Sequence, residues 1–166
     1  MAPHAEIRER VQGKPFLSSI DIRDAFYNIR LHKDDMEKTA FKTRLGLFEF
    51  TVSPMGLTNS PATFLRLMNR IFSDLNDICV SSYMDDMLIY SDTLEDHVRH
   101  IELVLKRLEE HCLFVKPSKC IFGVKELLFC GMMINGDGVR IAKSQIDAVG
   151  DYPQIENIRG VLSSWV

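Results

Sequence analysis

Two apolar runs, Ile78–Met84 and Met87–Ser91, meet at a pair of adjacent acids, Asp85 and Asp86. Both runs read as strands, which predicts an antiparallel hairpin with the two carboxylates at its tip. No other feature constrains the fold as tightly, because it commits the chain to tight antiparallel pairing while placing like charges side by side. Adjacent carboxylates repel, and each resists ionising while the other is charged. Asp is also a common turn residue, so a solvated turn tip explains the pair equally well. A third acid on another strand, sharing a cation with these two, would separate the readings.

The rest of the chain sets the context for such an acid. At 166 residues it has the length of one domain with a real core. No apolar run approaches the roughly 18 residues of a membrane span, so no membrane partner is expected. "MAPHAEIRER" has no apolar stretch behind its charges, hence no secretory signal is expected and the protein reads as intracellular, its compartment open. Cysteines 79, 112, 120 and 130 form neither a C-x-x-C pair nor a disulfide framework, and they read as reduced packing residues. His97, His100 and His111 lack zinc-site spacing and read as surface or cap residues. Net charge is −3, from 20 basic against 23 acidic residues, which argues against a broadly basic nucleic-acid footprint. Any such contact would have to come from local clusters.

"PFLSSIDI" alternates, with Phe16, Ser18, Ile20 and Ile22 on one face and Leu17, Ser19 and Asp21 on the other. "TAFKTRLGLFEFTV" reads as a hairpin turning near Leu45-Gly46, with Phe48, Phe50 and Val52 inward. Ser60 as N-cap and Pro61 at the first helical position open a helix whose stripe is Phe64, Met68, Ile71, Phe72 and Leu75. The clearest helix follows the acidic hairpin, capped by Thr93 with Asp96 or Asp92 with Glu95. Its expected buried stripe is Leu94, Val98, Ile101, Leu105, Leu108 and Cys112. Two further strands surround Gly123, "INGDGVRI" is a hairpin, and the tail from Ala142 carries two weak helical stretches split by Pro153. Strands joined by tight turns and interleaved with two long helices predict an α+β domain, an antiparallel sheet with helices on one face.

Asp21 is the candidate third acid: it ends an apolar strand on the face opposite Ile20 and Ile22. A strand-end residue capping the following turn is the competing account, and Asp24 could equally be an N-cap. If the Asp21 strand pairs beside the hairpin, three carboxylates converge, which is costly without a cation and a hard oxygen site with Mg²⁺. Magnesium keeps few protein carboxylates and favours substrate phosphates, so phosphate chemistry is the natural use, with two ions able to activate an attacking hydroxyl and steady a leaving oxygen.

"YMDD" between apolar strands, "FLSSIDIRDAFYNIRL", "KTAFKTRLGLFEF", "GLTNSPATFLRLMN" and "LFVKPSKCIFG…LLFCGMMINGDGVRI" together resemble reverse transcriptases. The similarity is greatest to those of gypsy-type LTR retrotransposon polyproteins, and it runs in order from about Val11 to Tyr152. It implies a polymerase palm with truncated fingers and thumb. Residues 1–141 would be the reverse transcriptase region, with a primer-grip hairpin near 126–141, and 142–166 the start of a thumb or connecting tail.

By this resemblance Asp21, Asp85 and Asp86 are the catalytic and metal-binding acids, holding two Mg²⁺ ions for which Mn²⁺ can substitute. Ile22, Arg23, Asp24, Ala25 and Phe26 match the loop whose amides receive the triphosphate. Phe26 falls where a bulky residue blocks a ribose 2′-hydroxyl, although core packing is the usual fate of Phe. Met55, Gly56, Tyr83 and Met84 match nucleotide-site positions, and Cys130, Gly131 and Met132 the primer grip. Met55 departs from the family, which carries an aromatic there. The implied partners are an RNA or DNA template with its primer, dNTPs, and a longer polyprotein copy in assembly. The function so implied is RNA-directed DNA polymerisation. The alternative is an inactive retroelement remnant that acts at most as a nucleic-acid-binding or interaction module.

Overall fold

The computed structural model describes residues 4–143 together with 146 and 147. Helix α1 (His4–Val11) leads into β1 (Phe16–Asp21), a 3-10 turn (Ala25–Asn28), the single-turn α2 (Lys33–Met36) and a second 3-10 turn (Glu37–Thr39). The hairpin β2 (Phe41–Thr43) and β3 (Gly46–Phe48) precedes the long helix α3 (Ser60–Ile71). Strands β4 (Val80–Tyr83) and β5 (Asp86–Ser91) then lead to α4 (Leu94–Glu110) and a 3-10 turn at Pro117–Lys119. Strands β6 (Ile121–Val124), β7 (Glu126–Phe129), β8 (Met132–Asn135) and β9 (Gly138–Ile141) complete the described elements.

The central sheet has the order β4-β5-β1-β6 and is antiparallel throughout. β7, β8 and β9 form a separate antiparallel meander, and among the described residues β2 and β3 pair only with each other. The expected α+β architecture is therefore present. On one face of the central sheet, Ile20, Val80, Met87 and Ile89 pack against Phe64, Met68 and Ile71 of α3 and Val104 and Leu108 of α4. Fully burying a side chain such as Phe64 stabilises the fold by roughly 1.5–3 kcal/mol. The other face is covered too: Leu17, Leu88 and Tyr90 meet Ile7 and Val11 of α1 and Leu127, Phe129, Met132 and Ile134 of the meander. Two-sided burial of β1 and β5 explains why "MLI" of β5 is continuously apolar and why Ser18 and Ser19 of β1 are buried with their apolar neighbours. No helix among the described residues is long and apolar enough to cross a membrane.

Several expectations shift in register or facing. Helix α3 begins at Ser60 with Asn59 as N-cap, one residue earlier than the Ser60 cap expected, and the Ser60 hydroxyl bonds Ser53 instead at 2.5 Å. The β2–β3 turn falls at Arg44-Leu45, and Phe48 is exposed, because among the described residues this ribbon joins no larger sheet; Phe41 stacks on Phe48, and Phe50 tilts against Phe41. Thr93 caps α4 as expected, accepting the Asp96 amide at 3.1 Å. The buried face of α4, however, centres on His97, Val104 and Leu108, while Leu94, Val98 and Cys112 are exposed. His97 is thus no surface residue: it is buried, because Ser18 and Ser91 satisfy both ring nitrogens at 2.7 and 2.9 Å. The tail expected over 142–166 lies outside the described residues, apart from Ala142, Lys143, Ile146 and Asp147.

Candidate metal centre

The acidic tip of the β4–β5 hairpin is a two-residue turn, Met84-Asp85, closed by the pair Tyr83↔Asp86. Met84 adopts φ +51°, a left-handed conformation that costs a non-glycine residue about 1 kcal/mol. The turn is held there from β1: the Ile22 amide donates to the Asp85 carbonyl at 2.8 Å. Antiparallel pairing of β1 with β5 places Asp21 directly opposite Asp86. Alternation therefore lines Tyr83, Asp86 and Asp21 in one row across three strands, on the face shared with Leu17, Leu88 and Tyr90. Directly opposed like charges destabilise a sheet, so this register must be repaid by packing along the rest of the strands or by a cation.

The backbone also brings in two lysines. The Lys116 amide donates to the Asp21 carbonyl at 2.9 Å, and the Arg23 amide donates to the Phe114 carbonyl at 2.7 Å, tying the segment after α4 to the end of β1. Lys119 Nζ donates to Asp21 Oδ2 at 3.2 Å. Lys116 Nζ stands 3.8 Å from Asp21 Oδ1, too far for a hydrogen bond, and Oδ1 is buried with no hydrogen-bond partner among the described residues. Asp21 is 7% exposed, whereas Asp86 is half-buried and Asp85 exposed. Burial, and then the charges of Asp85 and Asp21, push the Asp86 carboxyl above the usual carboxylate range, with Lys119 opposing. Its hydrogen bond to Asp21 and the acidic surroundings hold the Lys119 ammonium above the ordinary lysine value.

Among the described residues, no group of three or more His, Cys, Asp or Glu side chains closes into a metal-holding set. The chemistry of the donors nevertheless suits a divalent cation. A buried carboxylate oxygen lacks a partner, a second carboxylate lies across the strand, and a third stands at the turn, all hard oxygen ligands.

The remaining sequence-predicted residues are distributed around this row. Ile22 is buried, and its amide and that of Arg23 are already committed to Asp85 and Phe114. Asp24 adopts φ +51° at the start of the 3-10 turn rather than capping a helix with its side chain. Ala25 is buried, and the half-buried Phe26 meets Phe64 edge-on at 6.1 Å, so Phe26 does pack against the core. Tyr83 and Met84 flank the acids in the hairpin. Cys130-Gly131 is the β7–β8 turn, with both φ values positive (49° and 78°), and Met132 pairs with Phe129 below it. Burial first, and then the Asp86 and Asp85 charges, push the Cys130 thiol up to about 12. Met55 is 70% exposed and Gly56 has φ +96° on the loop entering α3, and no hydrogen bond or ion pair among the described residues joins them to the acids. Lys116 and Lys119 had no role assigned from sequence. Their signal was "KPSK" directly ahead of a strand, but only the fold shows which acid they face.

The described architecture recurs in known proteins. The family profile described as Reverse transcriptase (RNA-dependent DNA polymerase) matches residues 2–134. The Transposon Tf2-3 polyprotein of Schizosaccharomyces pombe is 32% identical over 152 residues, covering 92% of this chain. The Tf2-7 polyprotein of the same organism is equally similar. In each case the chain spans 11% of the relative's length. Among solved structures, the foamy viral protease-reverse transcriptase dRH in complex with double-stranded DNA superposes with TM-score 0.81 at 25% identity, over 90% of this chain and 26% of that one. The foamy viral protease-reverse transcriptase in complex with an RNA/DNA hybrid has a TM-score of 0.79 at 23% identity, over 94% and 22%, and speaks to the fold alone. The row of acids thus lies in a palm-like α+β domain, and the chain belongs to the reverse transcriptase (RNA-dependent DNA polymerase) family.

Proposed function

We propose that this chain carries the nucleotidyl-transfer centre of a retrotransposon RNA-directed DNA polymerase, with Asp21, Asp85 and Asp86 as the acids that hold Mg²⁺ or Mn²⁺. The observation that carries this reading is the registration of Asp21 against Asp86, with a buried Asp21 oxygen left without a partner. Divalent ions bound there would supply charge neutralisation for the transferred phosphate and a lowered pKa for a primer 3′-hydroxyl.

The protein's own contribution is positioning. Two backbone ties, Ile22 to Asp85 and Lys116 to Asp21, hold the acids without using their carboxylates; Asp21 Oδ2 carries Lys119, and Oδ1 is left for a ligand. Because the Ile22 and Arg23 amides serve the fold, a triphosphate would rest on the amides of Asp24, Ala25 and Phe26. Phe26, backed by Phe64, would be the residue that excludes a ribose 2′-hydroxyl, while the Cys130-Gly131 turn would carry the primer end. Template, primer and dNTPs are the partners this reading implies, and the larger polyprotein its setting.

The test is extension of an oligo(dT) primer on poly(rA) with dTTP, in Mg²⁺ and then Mn²⁺, beside the Asp85→Asn/Asp86→Asn double variant. Metal-dependent extension that disappears in the variant is expected. Extension that persists in the variant, or that needs no divalent ion, refutes the assignment. A second reading, a binding module without catalysis, draws on one observation: Lys119 already forms an ion pair with Asp21. It would be supported by a folded chain that binds primer–template and extends nothing.

A further inference from the structure

We propose that Lys119 is a built-in placeholder cation, seated on Asp21 while the centre is empty and displaced when a divalent ion enters. This inference rests on the metal-centre reading above. The segment around Lys119 is anchored rather than loose. The Lys116 amide is bound to the Asp21 carbonyl, the Lys119 amide donates to the Lys116 carbonyl at 2.9 Å, and Ile22 bridges Val115. The Lys119 side chain differs: it is 62% exposed, and among the described residues its ammonium makes one hydrogen bond, to Asp21 Oδ2. An anchored backbone with a solvent-facing arm lets the ammonium leave without moving the turn.

The charges give the arrangement its purpose. Asp21, Asp85 and Asp86 crowd one sheet end, and one ammonium at 3.2 Å offsets part of their repulsion. Lys116 at 3.8 Å adds a weaker share. Neither lysine satisfies Asp21 Oδ1, so the cation there is a partial substitute, and an oxygen is left for an ion that can use it. A divalent cation bound to Asp21 would repel the Lys119 ammonium. Metal entry and release of Lys119 are therefore linked, and each ion must overcome the pair it breaks.

The linkage is read by titrating Mn²⁺ alone into the 166-residue chain and following the loss of the free-ion electron paramagnetic resonance signal. Lys119→Gln is expected to tighten Mn²⁺ binding about three- to fivefold, the scale of a partly exposed ion pair. Lys119→Arg, which keeps the charge, should return most of the way to the unsubstituted affinity. Lys125→Gln makes the same charge change on a neighbouring segment and should alter nothing, which separates the direct pair from net charge. In an Asp21→Asn background the Lys119→Gln effect should vanish. Circular dichroism on each variant establishes that it is folded. Unchanged or weaker binding by Lys119→Gln, while the unsubstituted chain binds Mn²⁺, overturns the placeholder and leaves the metal centre standing. Absence of binding in both overturns the two together.

Discussion

Replacing His97 by Ala should expose how strongly one buried polar network holds β1 and β5 to α4. The ring lies between Ser18 of β1 and Ser91 of β5, with Oγ atoms 2.7 Å from Nε2 and 2.9 Å from Nδ1. Ser18 Oγ also accepts the Gly123 amide at 2.9 Å, and Ser91 Oγ shares a hydrogen with His100 Nδ1 at 2.8 Å. One imidazole therefore joins α4 to two strands of the central sheet, and through Ser18 to the β6 edge. Truncation removes two hydrogen bonds, each contributing about 1 kcal/mol, and leaves a cavity beside Phe16, for a loss of roughly 2–4 kcal/mol. In a chain of this size that lowers Tm by about 5–15 °C, measured by circular dichroism at pH 8. The pH dependence supplies a second readout. Burial first, and then the neighbouring His100, depress the His97 pKa, while a hydrogen bond involving the Leu17 backbone opposes them. A depressed folded pKa means that the unfolded chain takes up the proton first as pH falls. The stability linked to neutral His97 is thus full above the unfolded value near 6.5 and is lost as pH drops from there through the folded pKa. The gap between the unsubstituted chain and His97→Ala should narrow over that window. A loss below about 0.5 kcal/mol, or a gap constant from about pH 8 to pH 5, would refute the reasoning.

Asp86→Asn should stabilise the metal-free chain by about 0.5 kcal/mol, because it removes a like charge directly opposite Asp21; urea unfolding at pH 7 should show no loss of stability. That advantage should fade in acid, since the raised Asp86 pKa means that the unsubstituted chain regains the difference on protonation. Gly131→Val should cost roughly 1–2 kcal/mol, as φ +78° in the β7–β8 turn suits glycine and a β-branched residue poorly; an unchanged denaturation midpoint would contradict it. Thr93→Ala should cost about 1 kcal/mol by freeing the Asp96 amide, with helix loss concentrated at the start of α4 in hydrogen exchange.

Local patterns carried most of the elements. The apolar runs around Asp85 and Asp86 became β4 and β5, the stripe from Phe64 to Leu75 is buried throughout, and Thr93 caps the helix it was expected to cap. The misjudged faces share a cause. On α4, hydrophobicity alone favoured Leu94 and Val98 as buried, yet a helix face is set by what stands opposite. Opposite α4 stand two serine hydroxyls that make a histidine the better occupant. Phe48 was expected inside, but among the described residues β3 pairs only with β2, and Phe48 is left exposed.

The sequence by itself determined that two acids stand at a hairpin tip and that a third ends an alternating strand, because turn chemistry and period-two alternation act over a few residues. It also carried the family, through motifs spread along most of the chain. Tertiary structure alone decided that Asp21 faces Asp86, since strand register is settled by packing on both sheet faces between segments distant in sequence. The same holds for Lys119. Its pairing with Asp21 depends on the backbone bond from Lys116, formed only once α4 has docked and returned the chain to the end of β1.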